Sequence, residues 1–245
     1  MSIAEQAKEF ANQVQEMLLK VLPEGELGIV LRTYTREDNS QTVVITQKDP
    51  EGVQLTVDGK PFLRLTFEYY CIGGTGGTWL KILKSSFTVA ANGVNQPYFH
   101  YDYLANPQGK IPSAHLNVHG HRDDLIRSLL HSNRSGSHSK NRRRDLLSHG
   151  NVPTMSNLHF PVGGSRFRPG LEDVLQMVIN EFGIDVRSGH QKYLEEYRQR
   201  YRTVQLEAIV GSLPTIAVRK LEAMGYQFSH KPTSPAENYS ILNQL

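Results

Sequence analysis

Histidine and aspartate recur at short intervals in three runs: YFHYDY (Tyr98–Tyr103), SAHLNVHGH (Ser113–His121) and NLHFPVGG (Asn157–Gly164). Imidazole titrates near neutrality and can both take up and return a proton. Histidines grouped around one carboxylate are therefore equipped for acid–base work on a phosphodiester. Successive side chains of a strand alternate faces. Tyr98, His100 and Asp102 would then share one face, and His115, Asn117 and His119 one face of the following strand. If these strands pair across NPQGK, both rows oppose each other on one surface. Register decides the outcome, since a slip of one residue moves a whole row to the other face. With His159 from the third run, the candidate catalytic set is His100, Asp102, His115, His119 and His159.

Three readings of this set stay open. The histidines decorate an exposed sheet face, or they are acid–base catalysts with Asp102 orienting one imidazole, or they bind a metal. His115 and His119 lie about 13 Å apart on a regular strand and cannot share an ion, whereas His119 and His121, about 6.6 Å apart, can. His159 or Asp102 would complete such a site. No cysteine-rich ligand set accompanies them, so metal binding ranks below acid–base work, and the residues designate no cofactor.

Charge is the second feature. The chain carries +3 overall, yet the stretch from His121 to Gly150 holds seven basic residues and three acidic ones. Clustered Lys and Arg neutralise phosphates and release counterions, which makes Arg134, Lys140, Arg142, Arg143 and Arg144 candidate nucleic-acid contacts. HSNRSGSHSKN is too poor in apolar residues to order itself and predicts an exposed basic loop over 131–150. Arg166 and Arg168 precede a helix start, where free backbone N–H groups favour anions, and they join the candidate phosphate contacts. The same SRFRPG run also reads as a plain helix entry with Phe167 packed inward. The glycine-rich IGGTGG (Ile72–Gly77) lacks a following Lys-Ser/Thr and has strands on both sides, so it reads as a hairpin turn.

The elements that must hold these residues follow from periodicity. Phe10, Val14, Met17, Leu18 and Val21 recur at helical spacing, predicting a helix over 2–22 that Pro23 and Gly25 end. Strands are predicted at Leu27–Tyr34, Gln41–Gln47, Val53–Val57, Phe62–Cys71, Trp79–Ala90, Pro97–Tyr103 and Ala114–His119, separated by turns such as EDNS and DGKP. Short connections make an antiparallel meander the simplest pairing. Leu171, Val174, Leu175, Val178, Ile179 and Phe182 mark a strong helix, with Gly183 as its stop. Further helices are expected near Gln191–Val210 and Leu213–Met224, the second capped by Ser212 with Pro214 in its first turn. Tyr193, Tyr197 and Tyr201 form a stripe that either packs on the sheet or stacks bases. The fold expected is α+β: a curved antiparallel sheet of about seven strands, one N-terminal helix and three C-terminal helices. It forms a single domain over 1–230, with a loosely held tail at 231–245.

The order of an aromatic YDY-like strand, a histidine-rich strand, a later H-F and a LEDVL helix resembles the TumE-type toxins of prokaryotic toxin–antitoxin modules. Matching positions are Tyr101, Asp102, His115, His119, His159 and Leu171–Leu175, within Tyr98–Phe182. The resemblance implies a nucleic-acid- or nucleotide-directed protein of a toxin–antitoxin or defence-like system, a candidate phosphodiesterase or ribonuclease, with a cognate antitoxin-like partner. The alternative is a non-catalytic nucleic-acid- or protein-binding module.

Composition limits the rest. At 245 residues, 38% hydrophobic and 21% charged, the chain has ordinary globular values. Its single cysteine, Cys71, excludes an intramolecular disulfide. No apolar run approaches the ~18–20 residues needed to span a bilayer. The opening MSIAEQAKEF is polar, so a cytoplasmic location without a membrane partner is expected.

Overall fold

A computed structural model describes residues 2–23, 27–35, 41–74, 79–107, 111–120, 137–152, 154–157, 160–162, 167–230 and 237–239. Helix α1 (Ile3–Val21) opens with a capping box, in which Ser2 and Glu5 each bond the other's backbone N–H. Strands β1 (Ile29–Thr35), β2 (Gln41–Gln47), β3 (Val53–Val57), β4 (Lys60–Gly73), β5 (Leu80–Ala91), β6 (Pro97–Leu104) and β7 (Ala114–Val118) follow, then α2 (Ser137–His149) and the two-residue β8 (Phe160–Pro161). The chain closes with α3 (Leu171–Phe182), α4 (His190–Ser212) and α5 (Pro214–Ala223). All pairings are antiparallel, in one open α+β sheet of order β1-β2-β4-β5-β6-β7-β8.

The sheet departs from a meander at one place. Both β2 and β3 pair with β4 along the same edge, β3 with its first half and β2 with its second. Between them Phe67 has no strand partner on that side, and side chains fill the gap. Its N–H donates to Gln47 Oε1 at 2.8 Å, and its carbonyl accepts from Thr46 Oγ1 at 2.9 Å. A backbone left unpaired there would cost about as much as a lost hydrogen bond, so the two side chains stand in for a ladder.

Alternation divides the sheet into two faces. Leu63, Leu65, Phe67, Tyr69 and Cys71 of β4, with Phe87 and Val89 of β5, point to one side and are buried. Helix α1 covers them with Ala7, Ala11, Val14, Leu18 and Val21, and α3 with Leu171, Val174, Leu175 and Val178. Arg187 fixes the turn between α3 and α4: its N–H and Nε donate to the Val21 and Leu22 carbonyls that α1 leaves open. The tyrosine stripe serves packing. Lys20 of α1 stands over the Tyr193 ring and Tyr197 hydrogen-bonds Glu16, so these two lie on α1, whereas Tyr201 lies beside Arg168 and Tyr103 at the sheet.

Three expectations are corrected. The stretch 137–149 is a helix, not part of a basic loop; Gly150, at φ 72°, stops it by donating to Leu146 O. Ser212 does not cap α5: its hydroxyl donates back to Ala208, Leu213 is the cap residue, and Glu237 accepts from the Thr215 N–H. Phe167 is exposed rather than packed inward. Residues 237–239 lie against the α4–α5 corner, where Asn238 N–H donates to Ser212 O. The remaining tail residues lie outside the described ones.

Candidate functional site

The face of the sheet that α1 and α3 leave uncovered carries the histidines. Register aligns Ser86 of β5, Asp102 of β6 and His115 of β7 in one row, and Thr88, His100 and Asn117 in the next. His119 follows β7 in step, its N–H donating to Tyr98 O at 2.8 Å. His100, Asp102, His115 and His119 therefore stand together on one face. Tyr98 does not join them. The β5–β6 register shifts at Val89/Ala90, and Tyr98 stacks on Phe182 of α3, with ring centroids 6.1 Å apart and planes within 5°. A bulge turns its side chain to the helix-covered side.

The polar groups form a chain. Ser86 Oγ donates to Asp102 Oδ1 at 2.6 Å, and Asp102 Oδ2 lies 3.3 Å from His100 Nε2. His100 Nδ1 and His119 Nε2 are 3.0 Å apart. The Asp102 carboxylate, close to Nε2 without a hydrogen bond to it, favours the His100 tautomer with N–H at Nε2 and a lone pair at Nδ1. His119 must then donate from Nε2, and its own lone pair sits on Nδ1. Asp102 thus biases the tautomers of both rings through its charge.

His115 supports this chain from the side. It is 3% exposed, its Nδ1–H donates to Pro112 O at 2.9 Å, and its Nε2 lies 3.8 Å from Asp102 Oδ2. The short turn Met155–Asn157 lies over β7, where Ser156 O accepts from Asn117 Nδ2 at 2.8 Å. His100 and Asp102 are more open, with side chains 23% exposed.

Burial lowers the His100 pKa below the ordinary imidazole range, an effect Asp102 partly opposes and His115 reinforces. His119 is lowered too, first by burial and then by His100. Both rings are therefore biased towards their neutral forms, and their 3.0 Å contact disfavours a second proton on the pair.

Other expected site residues fall elsewhere. His159, Arg134 and Arg166 lie outside the described residues. Lys140, Arg142 and Arg143 belong to α2, which places their backbone and nothing more. Arg144 is exposed and donates to Asn141 Oδ1. Arg168 cannot serve the histidines. Its guanidinium lies 3.7 Å from the Tyr103 ring centroid, and Tyr103 is on the helix-covered face. Stacking there is the use its planar cation finds.

Two residues escaped the sequence reading. Ser86 holds Asp102 only through cross-strand pairing. Glu172, within LEDVL, is 6% exposed on the covered side, and its Oε1 has no hydrogen-bond partner. Burial pushes its pKa up to about 7, an effect its own backbone N–H opposes and Asp173 reinforces. Asp173 takes the cations instead, accepting from Arg198 and Arg202 at 2.9 and 2.8 Å.

Among the described residues, no group of three or more His, Cys, Asp or Glu is arranged to hold a metal ion. Fold and site together define an α+β protein with a serine–aspartate–histidine–histidine chain on an open sheet face. No family model, curated protein or solved structure matches the chain. Among the described residues, no helix is long and apolar enough to cross a membrane.

Proposed function

We propose that the protein cleaves phosphodiester bonds in nucleic acid by histidine acid–base catalysis, with His119 as the proton-transferring residue. The observation that carries this reading is the Ser86–Asp102–His100–His119 chain, which leaves the His119 Nδ1 lone pair at its outer end. A nucleophilic hydroxyl, from water or a neighbouring ribose, gives its proton to His119 Nδ1 as its oxygen forms a bond to phosphorus. The bond from phosphorus to the leaving oxygen breaks, and that oxygen takes the proton from His119. His100 and Asp102 stabilise the imidazolium in between. His115 is a positioning residue, since it is buried against Asp102.

The resemblance of Tyr98–Phe182 to TumE-type toxins supports a toxin–antitoxin or defence-like setting, with nucleic acid as substrate and an antitoxin-like protein as partner. The lowered pKa values of His100 and His119 make the base form available below neutrality. Cleavage of a labelled RNA should rise with pH to a plateau, with a midpoint below the ordinary imidazole value of about 6.5. His119→Ala should lower the rate ~10²–10⁴-fold. A variant that cleaves like the parent rules out this assignment. The second reading, a non-catalytic nucleic-acid-binding module, is favoured by helix α2, which carries the densest basic run and whose Arg144 is exposed. It stands if the parent protein binds RNA and never cleaves it.

A further inference from the structure

We infer that the open face of the sheet is a platform for single-stranded nucleic acid, running diagonally from the histidines to the β1 edge. This rests on the phosphodiesterase reading and names its substrate class. One row beyond Ser86 and Asp102, register aligns Arg32 of β1, Val44 of β2, Tyr70 of β4, Lys84 of β5 and Leu104 of β6. The next row holds Tyr34, Thr42, Ile72 and Lys81. Strands lie about 4.8 Å apart and rows about 6.7 Å, so the path from His100 to Tyr34 is about 28 Å long. That is the reach of a short oligonucleotide, not of a single nucleotide.

Among the described residues, two aromatic rings and three cations lie along this path, with Asp102 at its start and Glu68 beside Lys84. Tyr34 is 51% exposed, an open ring face on which a base can stack. Lys84 Nζ stands 5.1 Å from the Tyr70 ring centroid and 3.3 Å from Glu68 Oε1. That ion pair is substantially exposed and therefore weak, so a phosphate displaces the carboxylate cheaply and draws Lys84 off the ring. Arg32 is exposed beside it. Aromatic rings that stack bases, interleaved with cations that follow a backbone, are how sheet surfaces hold unpaired strands. A duplex keeps its bases stacked inside and offers these rings nothing.

Binding is measured on His119→Ala protein, so that the strand stays intact, by fluorescence anisotropy with an unstructured labelled RNA and with a duplex of the same sequence. The single strand should bind at least about tenfold more tightly. Tyr34→Ala and Tyr70→Ala should each weaken it by about tenfold. Lys84→Gln should flatten the slope of log affinity against log salt by about 0.7. Tyr34 is exposed, so its variant keeps the test valid if Tyr70→Ala misfolds. Equal binding of duplex and single strand, or unchanged affinity in Tyr34→Ala, overturns the platform. If the parent cleaves RNA while Tyr34→Ala binds normally, the platform falls and the catalytic reading survives. If both tyrosine variants lose binding in a protein that never cleaves, the platform survives alone.

Discussion

The two faces of the sheet are built from the same strands by the same alternation, yet they treat polar groups in different ways. On the covered face Phe67, Leu65 and Val89 meet the helices, and burial pushes Tyr69, Cys71 and Glu172 towards their uncharged forms. Burial raises Tyr69 well above the ordinary phenol range and takes the Cys71 thiol to about 12. Glu172 is the acidic case, a carboxyl without a hydrogen-bond partner at Oε1. On the open face Ser86 donates to Asp102, Asp102 faces His100 at 3.3 Å, and His100 pairs with His119. Burial disfavours the charged form on both sides, but the open face adds side-chain pairing that sets its polar groups in a line.

Substitutions that exchange these behaviours test the contrast. The largest effect belongs to the covered face: Phe67→Ala removes a fully buried ring and should cost about 3–5 kcal/mol in urea unfolding. A loss below 1 kcal/mol would mean that α1 and α3 do not seal this side.

Next comes Glu172→Gln. The folded-state pKa is raised to about 7 from an ordinary value of 4.5, so the carboxyl opposes folding increasingly as pH rises between those values. Well below pH 4.5 it is protonated in both states and the variant should be neutral. At pH 8 the variant should be more stable by about 3 kcal/mol. A pH-independent difference would contradict a buried, unpaired carboxyl.

On the open face, Ser86→Ala removes one hydrogen bond from Asp102. It should slow cleavage by about tenfold, since a bond to a charged group contributes roughly 1.5–3 kcal/mol. Rescue by Ser86→Thr separates this positioning role from general disruption.

The smallest effect is the stability change in His119→Ala, within about 0.5 kcal/mol, because a partly exposed polar side chain contributes little to folding. A large melting shift would mark His119 as structural and move it to the covered face's side of the comparison.

Much of the architecture could be read from the residues. The predicted limits of β2 and β3 coincide with the observed ones, because β-branched runs end there against turn residues. Helices α1 and α3 announce themselves through apolar spacing and end at Pro23 and Gly183. The shared face of His100, Asp102, His115 and His119 follows from parity once the hairpin register is right. Helix α2 was hidden because SHSKNRRRDLLSH has no apolar stripe, although Gly150 was a readable stop signal. The Ser86–Asp102 bond joins residues 16 apart on different strands, which no local pattern encodes. The displacement of Tyr98 depends on a bulge, and the sequence carries no sign of it. Its position before a helix suggests an anion contact for Arg168, whereas tertiary packing gives it Tyr103.

The shared edge of β4 also sets an order of assembly. Strands β3 and β4 are joined by Asp58-Gly59, both in the left-handed region at φ 52° and 71°, a tight turn matched to the twist of a hairpin. Such a hairpin closes locally, within about 1–10 μs in isolated peptides. Strand β2 meets β4 only across β3 in the chain, so that pairing closes a longer loop than the β3–β4 turn does. Gln47 and Thr46 then join the late arrival to the early template at Phe67. Amide exchange should report this history in reverse, with β1 and β2 opening before the β3–β4 hairpin does.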